Sequence, residues 1–464
     1  MPDGRLMRAK VIDYLGSLSP GARLMLLRKL EIAGEAGQLD ASTRLILEAT
    51  RAVVNGTKSD EPRPARVRRL FFEPFAPFII REELRTRQTG RLSIDSIDGI
   101  WTYLVRDVAP DLFGPWLDEA SIRVYSPEAD LKVMMAELRD TGLRQLRANH
   151  DELSATAKGR QRLGGLIGGE RALSDLGDLF AIHERRKSIA TLVHELPATI
   201  VVGDPSETTA LEVVGRFVER VPADAVWAGC VLLSRLASPA VLARIAVALG
   251  GGDKAGDIRR SSVASFLDIY FSEAERVIVR FGAARRRPDG TAEMARALGS
   301  FHDLVRSISI SIDFDGDSAW RKRLGDLRRS MSDMVQAEVE AIVPTIRRAL
   351  RVEGGSTAGR EGEGQDAIRA MTVLAEARRC RDSLAINELL AQVGQSSEQA
   401  IEVLGNRAIE QLKKTAGAGR ADVLMAVDIM IKLAELAFGP EYAVVMRKAR
   451  DRAVGRTGAA LATG

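Results

Sequence analysis

Proline pairs punctuate this chain, and apolar residues at helical spacing follow them. Ser19-Pro20, Ser126-Pro127, Asp204-Pro205, Ser238-Pro239 and Gly439-Pro440 are the clearest. A serine or aspartate before a helix accepts hydrogen bonds from the free amides of its first turn. Proline fits the first helical position because it has no N–H to lose there. After Pro127, the residues Leu131, Met134, Met135 and Leu138 fall on one helical face. Asp40 starts another helix and Asn55-Gly56 stops it. Short connections between such segments read as antiparallel helix pairs. The pattern predicts an all-α, multi-helical chain whose subdomains are bundles or irregular solenoid-like stacks. Residues 205–280 and 366–453 have a general HEAT-like look with no exact repeat period. The best strand candidate is Ala198-Thr199-Ile200-Val201-Val202, one run with no partner.

Composition shifts suggest the boundaries. Residues 1–54 read as a small bundle of three short helices. Residues 55–70, rich in proline and charge, read as a linker. A helical region with a phenylalanine-rich entry covers 71–203, and helix pairs ending in a long helix cover 204–352. The stretch EGGSTAGREGEGQ at 353–365 reads as a flexible linker. A C-terminal bundle fills 366–454 and a fraying tail 455–464. At 464 residues several domains are expected, with a core that needs no disulfide or metal.

Charge and cysteines narrow the function classes. A net charge of +4 is too small to mark a nucleic-acid binder by itself. Cys230 and Cys380 are far apart and outside any Cys-x-x-Cys pair, so reduced buried thiols are expected. The opening MPDGRLMRAKVIDYLGSL has an early acid and no apolar core, unlike a secretory signal. No window approaches the roughly 20 apolar residues of a membrane span. A cytoplasmic protein is expected. The excess of arginine over lysine and the abundant alanine fit a GC-rich bacterial genome.

One stretch invites a catalytic reading. Residues 307–320, SISISIDFDGDSAW, place Asp313, Asp315 and Asp317 around Gly316. A phosphatase-type nucleophile would need a buried, continuously apolar parallel strand before it, and this run is half serine. An EF-hand needs glycine at the sixth position and glutamate at the twelfth. Counting from Asp313, the glycine is fourth and the twelfth residue is Leu324. A helix end, a turn and a new helix account for more residues. Phe301, Val305, Ile308 and Ile312 share one helical face, and Trp320, Leu324, Leu327, Met331 and Met334 share another. Asp315 or Asp317 would then cap a helix running to about Leu350, kinked by Pro344.

The remaining motifs are thin. The histidines are His150, His183, His194 and His302. His183 and His194 lie eleven residues apart, about 16 Å along a helix, too far for one metal. GRQRLGGLIGGERA (159–172) lacks the lysine of a phosphate loop and reads as a hinge, and GGGDKAGD (250–257) reads as a loop. No catalytic set, cofactor or metal site is expected.

The most informative run is RVRRLFFEPFAPFII at 66–80. Aromatics make up 5% of the chain, yet Phe71, Phe72, Phe75 and Phe78 crowd here beside Arg68 and Arg69. The run could dock on a partner, stack on single-stranded nucleic acid, or plug the core. These six residues are the candidate partner-binding set. A helix-turn-helix over 1–54, with Ser42, Thr43 and Arg44 at a recognition helix, is the second nucleic-acid signal. The expected function is a non-catalytic interaction protein with a protein partner. The alternatives are a nucleic-acid-binding regulator using arginine-rich faces and a helical enzyme with an acidic site.

Overall fold

A computed structural model describes residues 14–15, 20–35, 40, 43–44, 46–47, 49–51, 63–117, 128–314, 319–351, 357–415 and 419–461. Helix dominates them. The chain runs through α1 (Pro20–Glu35), α2 (Arg63–Phe72), a 3₁₀ segment (Glu73–Phe78), β1 (Ile79–Ile80) and β2 (Leu92–Ser93). It continues through α3 (Ile94–Tyr103), a π-turn (Leu104–Val108), α4 (Pro110–Leu117), α5 (Glu128–Ser154), α6 (Ala157–Ile167), α7 (Glu170–Glu184) and α8 (Arg186–Glu195). Then come α9 (Pro205–Arg220), α10 (Ala225–Leu233), α11 (Ala240–Gly250), α12 (Ala255–Arg260), α13 (Ala264–Arg285), α14 (Thr291–Ser311) and α15 (Ala319–Glu340). The last are α16 (Ile342–Ala349), α17 (Thr357–Arg379), α18 (Asn387–Lys414), α19 (Arg420–Phe438) and α20 (Pro440–Leu461). The all-α, multi-helical class read from the periodicity is the class observed.

The chain packs as two compact units. The first takes residues up to Arg81 together with Thr89–Thr191, and the second takes Glu82–Gln88 together with residues from Leu192 onward.

In the first unit α2 carries Val67 and Phe71 one turn apart, both fully buried. That face is why the expected linker at 55–70 is already helix from Arg63. Arg139 of α5 closes the end of α2. Its Nε donates to the Phe71 carbonyl at 2.6 Å and its Nη2 to the Leu70 carbonyl at 3.0 Å. These are carbonyls that a helix end leaves without partners. β1 and β2 form a short parallel pair. Asp175 and Asp178 of α7 fasten the turn into β2, accepting from the amides of Ser93 at 3.1 Å and Gly90 at 2.9 Å. The hinge expected within 159–172 is confined to Gly168 and Gly169, whose φ values of +112° and +102° suit glycine.

In the second unit α13 and α14 form a long hairpin. Phe266, Tyr270 and Phe281 of the first and Phe301, Leu304 and Val305 of the second are buried where the two helices pack. The buried Tyr270 hydroxyl donates to the Leu304 carbonyl at 2.7 Å. Phe301, Val305, Ile308 and Ile312 are all buried, so the Ser-Ile alternation is one projection of a helical face. Trp320, Leu324, Leu327 and Met331 are buried as well, and Met334 is half-buried. The helix from Ala319 breaks at Ala341, since a continuous helix would drive the Pro344 ring into the Glu340 carbonyl. Asp204 caps α9 through the Ser206 amide at 2.9 Å.

Residues 198–202 contribute one isolated bridge, Ile200 to Leu236, and no strand, as a run without a partner suggests. Two further expectations are corrected. The stretch expected to be a flexible linker at 353–365 is helical from Thr357. One of its glycines serves close packing: a Cβ at Gly364 would sit 2.5 Å from Ile429 Cδ1 of α19. The tail expected to fray from 455 continues as α20 to Leu461.

Candidate functional site

Residues 82–88, EELRTRQ, form no helix or strand and lie along α13. Glu82 is the anchor. Its Oε2 accepts from Arg276 Nε at 2.8 Å, and its Oε1 lies 3.7 Å from Arg280 Nε. Arg276 and Arg280 are one turn apart, so a helix presents both to one carboxylate. Arg276 also donates to Glu273 at 2.7 Å. Burial alone would push the Glu82 carboxyl up. The Arg276 hydrogen bond and charge outweigh it and hold the group below the usual carboxylate range. Leu84 is buried, and Glu275 Oε1 accepts from the amides of Arg85 and Thr86, the latter at 3.2 Å. One helical face thus grips a short irregular segment by acid, side chain and backbone.

Beyond Arg85 the surface opens into a cleft of about 370 Å³ between α13 and α15. Ile278, Leu327 and Met334 supply an apolar lining. Arg85, Arg286 and Arg323 line it with guanidinium groups. Arg323 Nη1 donates to Asp268 at 3.3 Å, and its charge lies over the Phe271 ring, 5.4 Å from the centroid. Its Nη2 is buried without a hydrogen-bond partner. A cleft with apolar walls and few convergent polar groups is the usual form of a binding site.

The phenylalanine run lies elsewhere, and its assignment as a docking surface is corrected. Phe71 and Phe78 are fully buried, Phe75 is 2% exposed and Phe72 is 5%. Phe71 packs against Trp101 at 5.2 Å and Phe113 at 5.7 Å between ring centroids. Rings so enclosed present no area to a partner; they plug the core of the first unit. Arg68 pairs with Asp98, and Arg69 is exposed. The sequence left the core and docking readings both open, because phenylalanine next to arginine looks alike in a core and in an interface.

The other candidates are placed plainly. Asp313 is exposed, and its backbone bridges the loop before α12, donating to the Asp253 carbonyl and accepting from the Ala255 amide, each at 2.9 Å. Asp315, Gly316 and Asp317 lie outside the described residues, as does Ser42. The Thr43 amide donates to Asp40 at 2.7 Å, as a helix start requires. His302 is buried with Nδ1 2.8 Å from the Ser383 hydroxyl. His183 stands 3.3 Å from Asp140, with its pKa lowered by burial and by Arg186. Burial and the neighbouring Glu376 push the Cys380 thiol up to about 12, so it is an inert core residue. Among the described residues, no group of three or more His, Cys, Asp or Glu could hold a metal ion.

The arginine doublets are largely tied up within the fold. Arg260 pairs with Asp257, Arg285 with Glu338, Arg287 with Glu293, Arg329 with Asp326, Arg378 with Glu398 and Arg379 with Glu376. The cleft itself went unseen in the sequence. Its one signal is the pair Arg276 and Arg280, which gains meaning only when Glu82, about 190 residues away, lies on it. Comparison with protein-family models, with curated proteins and with solved structures finds no match. Among the described residues no helix is long and apolar enough to cross a membrane.

Proposed function

We propose that this chain is a non-catalytic interaction protein, an adaptor or regulator that receives an extended segment of a protein partner on a helical face. The observation that carries the reading is the seating of residues 82–88 on α13. That face already holds an irregular segment, charge-balanced with two glutamates and two arginines, through Arg276, Arg280 and Glu275. The adjoining cleft continues between α13 and α15 with apolar walls and a basic rim. Recognition of extended peptides commonly combines main-chain hydrogen bonds with pockets for side chains. A cytoplasmic setting fits the two buried cysteines, neither of which is in a disulfide.

Photo-crosslinking in the native cell tests this. A photoreactive residue is placed at Val279 in the cleft and, as control, at the exposed Val445 of α20. The expected result is one partner peptide, mapped by mass spectrometry, attached at 279 and not at 445. Equal labelling at both positions, or recovery of nucleic acid in place of a peptide, overturns the proposal. The second outcome would favour the nucleic-acid-binding reading.

A further inference from the structure

The arginines around the C-terminal half of α13 divide into two groups. Arg276 and Arg280 hold Glu82, Arg285 holds Glu338, and Arg287 holds Glu293. Among the described residues the guanidinium groups of Arg85 and Arg286 hold no carboxylate within ion-pair distance. Both line the cleft between α13 and α15. Arg323 lines it too, and its buried Nη2 lacks a hydrogen-bond partner.

The acids nearby offset only part of this charge. Glu275 is occupied by the amides of Arg85 and Thr86, and Asp326 is paired with Arg329 at 3.0 Å. Asp333 lies in the adjoining hollow, which it shares with Arg85, Arg329 and Ser330. At the cleft, the guanidinium groups of Arg85 and Arg286 stand against the one charge of Glu275, while Arg323 is met by Asp268. A carboxylate brings one negative charge, whereas a phosphomonoester brings about −1.5 to −2 at pH 7 and three acceptor oxygens. Guanidinium forks match phosphate geometry in a bidentate way. The hydroxyls of Thr86 and Ser330 also line the cleft and add donors. Its volume of about 370 Å³ falls at the small end of the ligand range, with apolar wall for a short body beside the phosphoryl group.

We propose that this cleft is a phosphomonoester-binding site, in which Arg85, Arg286 and Arg323 receive the phosphoryl oxygens. Binding is non-covalent and no bond is made or broken. The phosphoryl group arrives on a small free molecule or on a phosphorylated side chain of a docked segment. The second source rests on the reading of α13 as a docking face; the first does not.

Calorimetric titration of the full chain is the test. The probes are phosphoserine, a neutral hexapeptide carrying phosphoserine, the same hexapeptide unphosphorylated, and serine. Saturable one-to-one binding of a phosphorylated probe is expected, with no heat from its unphosphorylated counterpart. Arg286→Ala should weaken binding about tenfold and Arg85→Ala/Arg286→Ala should abolish it, as expected for lost charge-assisted hydrogen bonds. Asp333→Asn should tighten it a few-fold, about 2 to 5, by removing a like charge. Both arginines are exposed, so unchanged circular dichroism and melting are expected of these variants. Preference for the peptide over phosphoserine identifies a docked segment as the source, and the reverse identifies a small molecule. The absence of saturable binding by any phosphorylated probe, or equal affinity in the double variant, overturns the site. Crosslinking at 279 that persists without phosphoryl binding removes only the anion assignment. Phosphoserine binding without crosslinking removes only the docking face.

Discussion

Residues 71–80 and 82–88 follow one another in the chain, yet rings hold the first and charges hold the second. The first run buries Phe71, Phe72, Phe75 and Phe78 against Trp101 and Phe113 in its unit. The second puts Glu82 between Arg276 and Arg280 and lends its amides to Glu275. By residue type, the aromatic run is the more arresting candidate for an interface. The structure assigns it to the core, and a plain charged segment is the one seated on a helical face. The lesson is about energy. A phenylalanine gains most by leaving water wherever it can, roughly 1.5–3 kcal/mol per ring, so a cluster closes on itself. A carboxylate gains only where donors are fixed in place, and a helix fixes them at one-turn spacing.

The largest effect that could break this contrast is Phe71→Ala. A fully buried ring replaced by a methyl should cost about 3–5 kcal/mol, read by urea unfolding. A loss under about 1 kcal/mol would mean that the run is not core. Next is Glu82→Ala, which leaves Arg276 and Arg280 without their shared acid. The pair is mostly but not fully buried, so the expected cost is about 2 kcal/mol. A double-mutant cycle with Arg276→Ala should recover a coupling of about 1 kcal/mol; a strictly additive cycle would mean that the seat is not electrostatic.

The Glu82 pair also makes stability depend on pH. Its folded pKa is depressed, so the unfolded state takes the proton first. The contribution is present above the unfolded carboxylate value of about 4.3 and is lost as pH falls through the lower folded value. Glu82→Gln should therefore lose less stability than the wild type between about pH 5 and pH 3. The smallest effect is Asp313→Ala. The side chain is exposed and the bridge runs through the backbone, so stability should change by no more than about 0.5 kcal/mol. A larger loss would give the acidic turn a role beyond capping.

Much of the architecture was legible. Asp204-Pro205 and Gly439-Pro440 mark the starts of α9 and α20, and the four-three spacing from Phe301 to Ile312 marks a helix despite the serine alternation. Those signals are local, since capping and amphipathicity act within a turn or two. The glycine-rich stretch before α17 misled because composition reports flexibility, while Gly364 is there to let α19 approach. The candidate cleft was not legible. It needs Arg85, Arg286 and Arg323 together, drawn from three distant parts of the chain.

By itself, then, the sequence determined the helical class, where several helices begin, and which faces are apolar, because those follow from backbone capping and the 3.6-residue period. Only the tertiary structure decided which aromatic cluster becomes core, which charged segment lies on α13, and which arginines keep a carboxylate. Those outcomes depend on what each face meets across the fold. The desolvation of a ring or the pairing of a charge is settled by neighbours from distant parts of the chain, nearly 200 residues apart for Glu82 and Arg276.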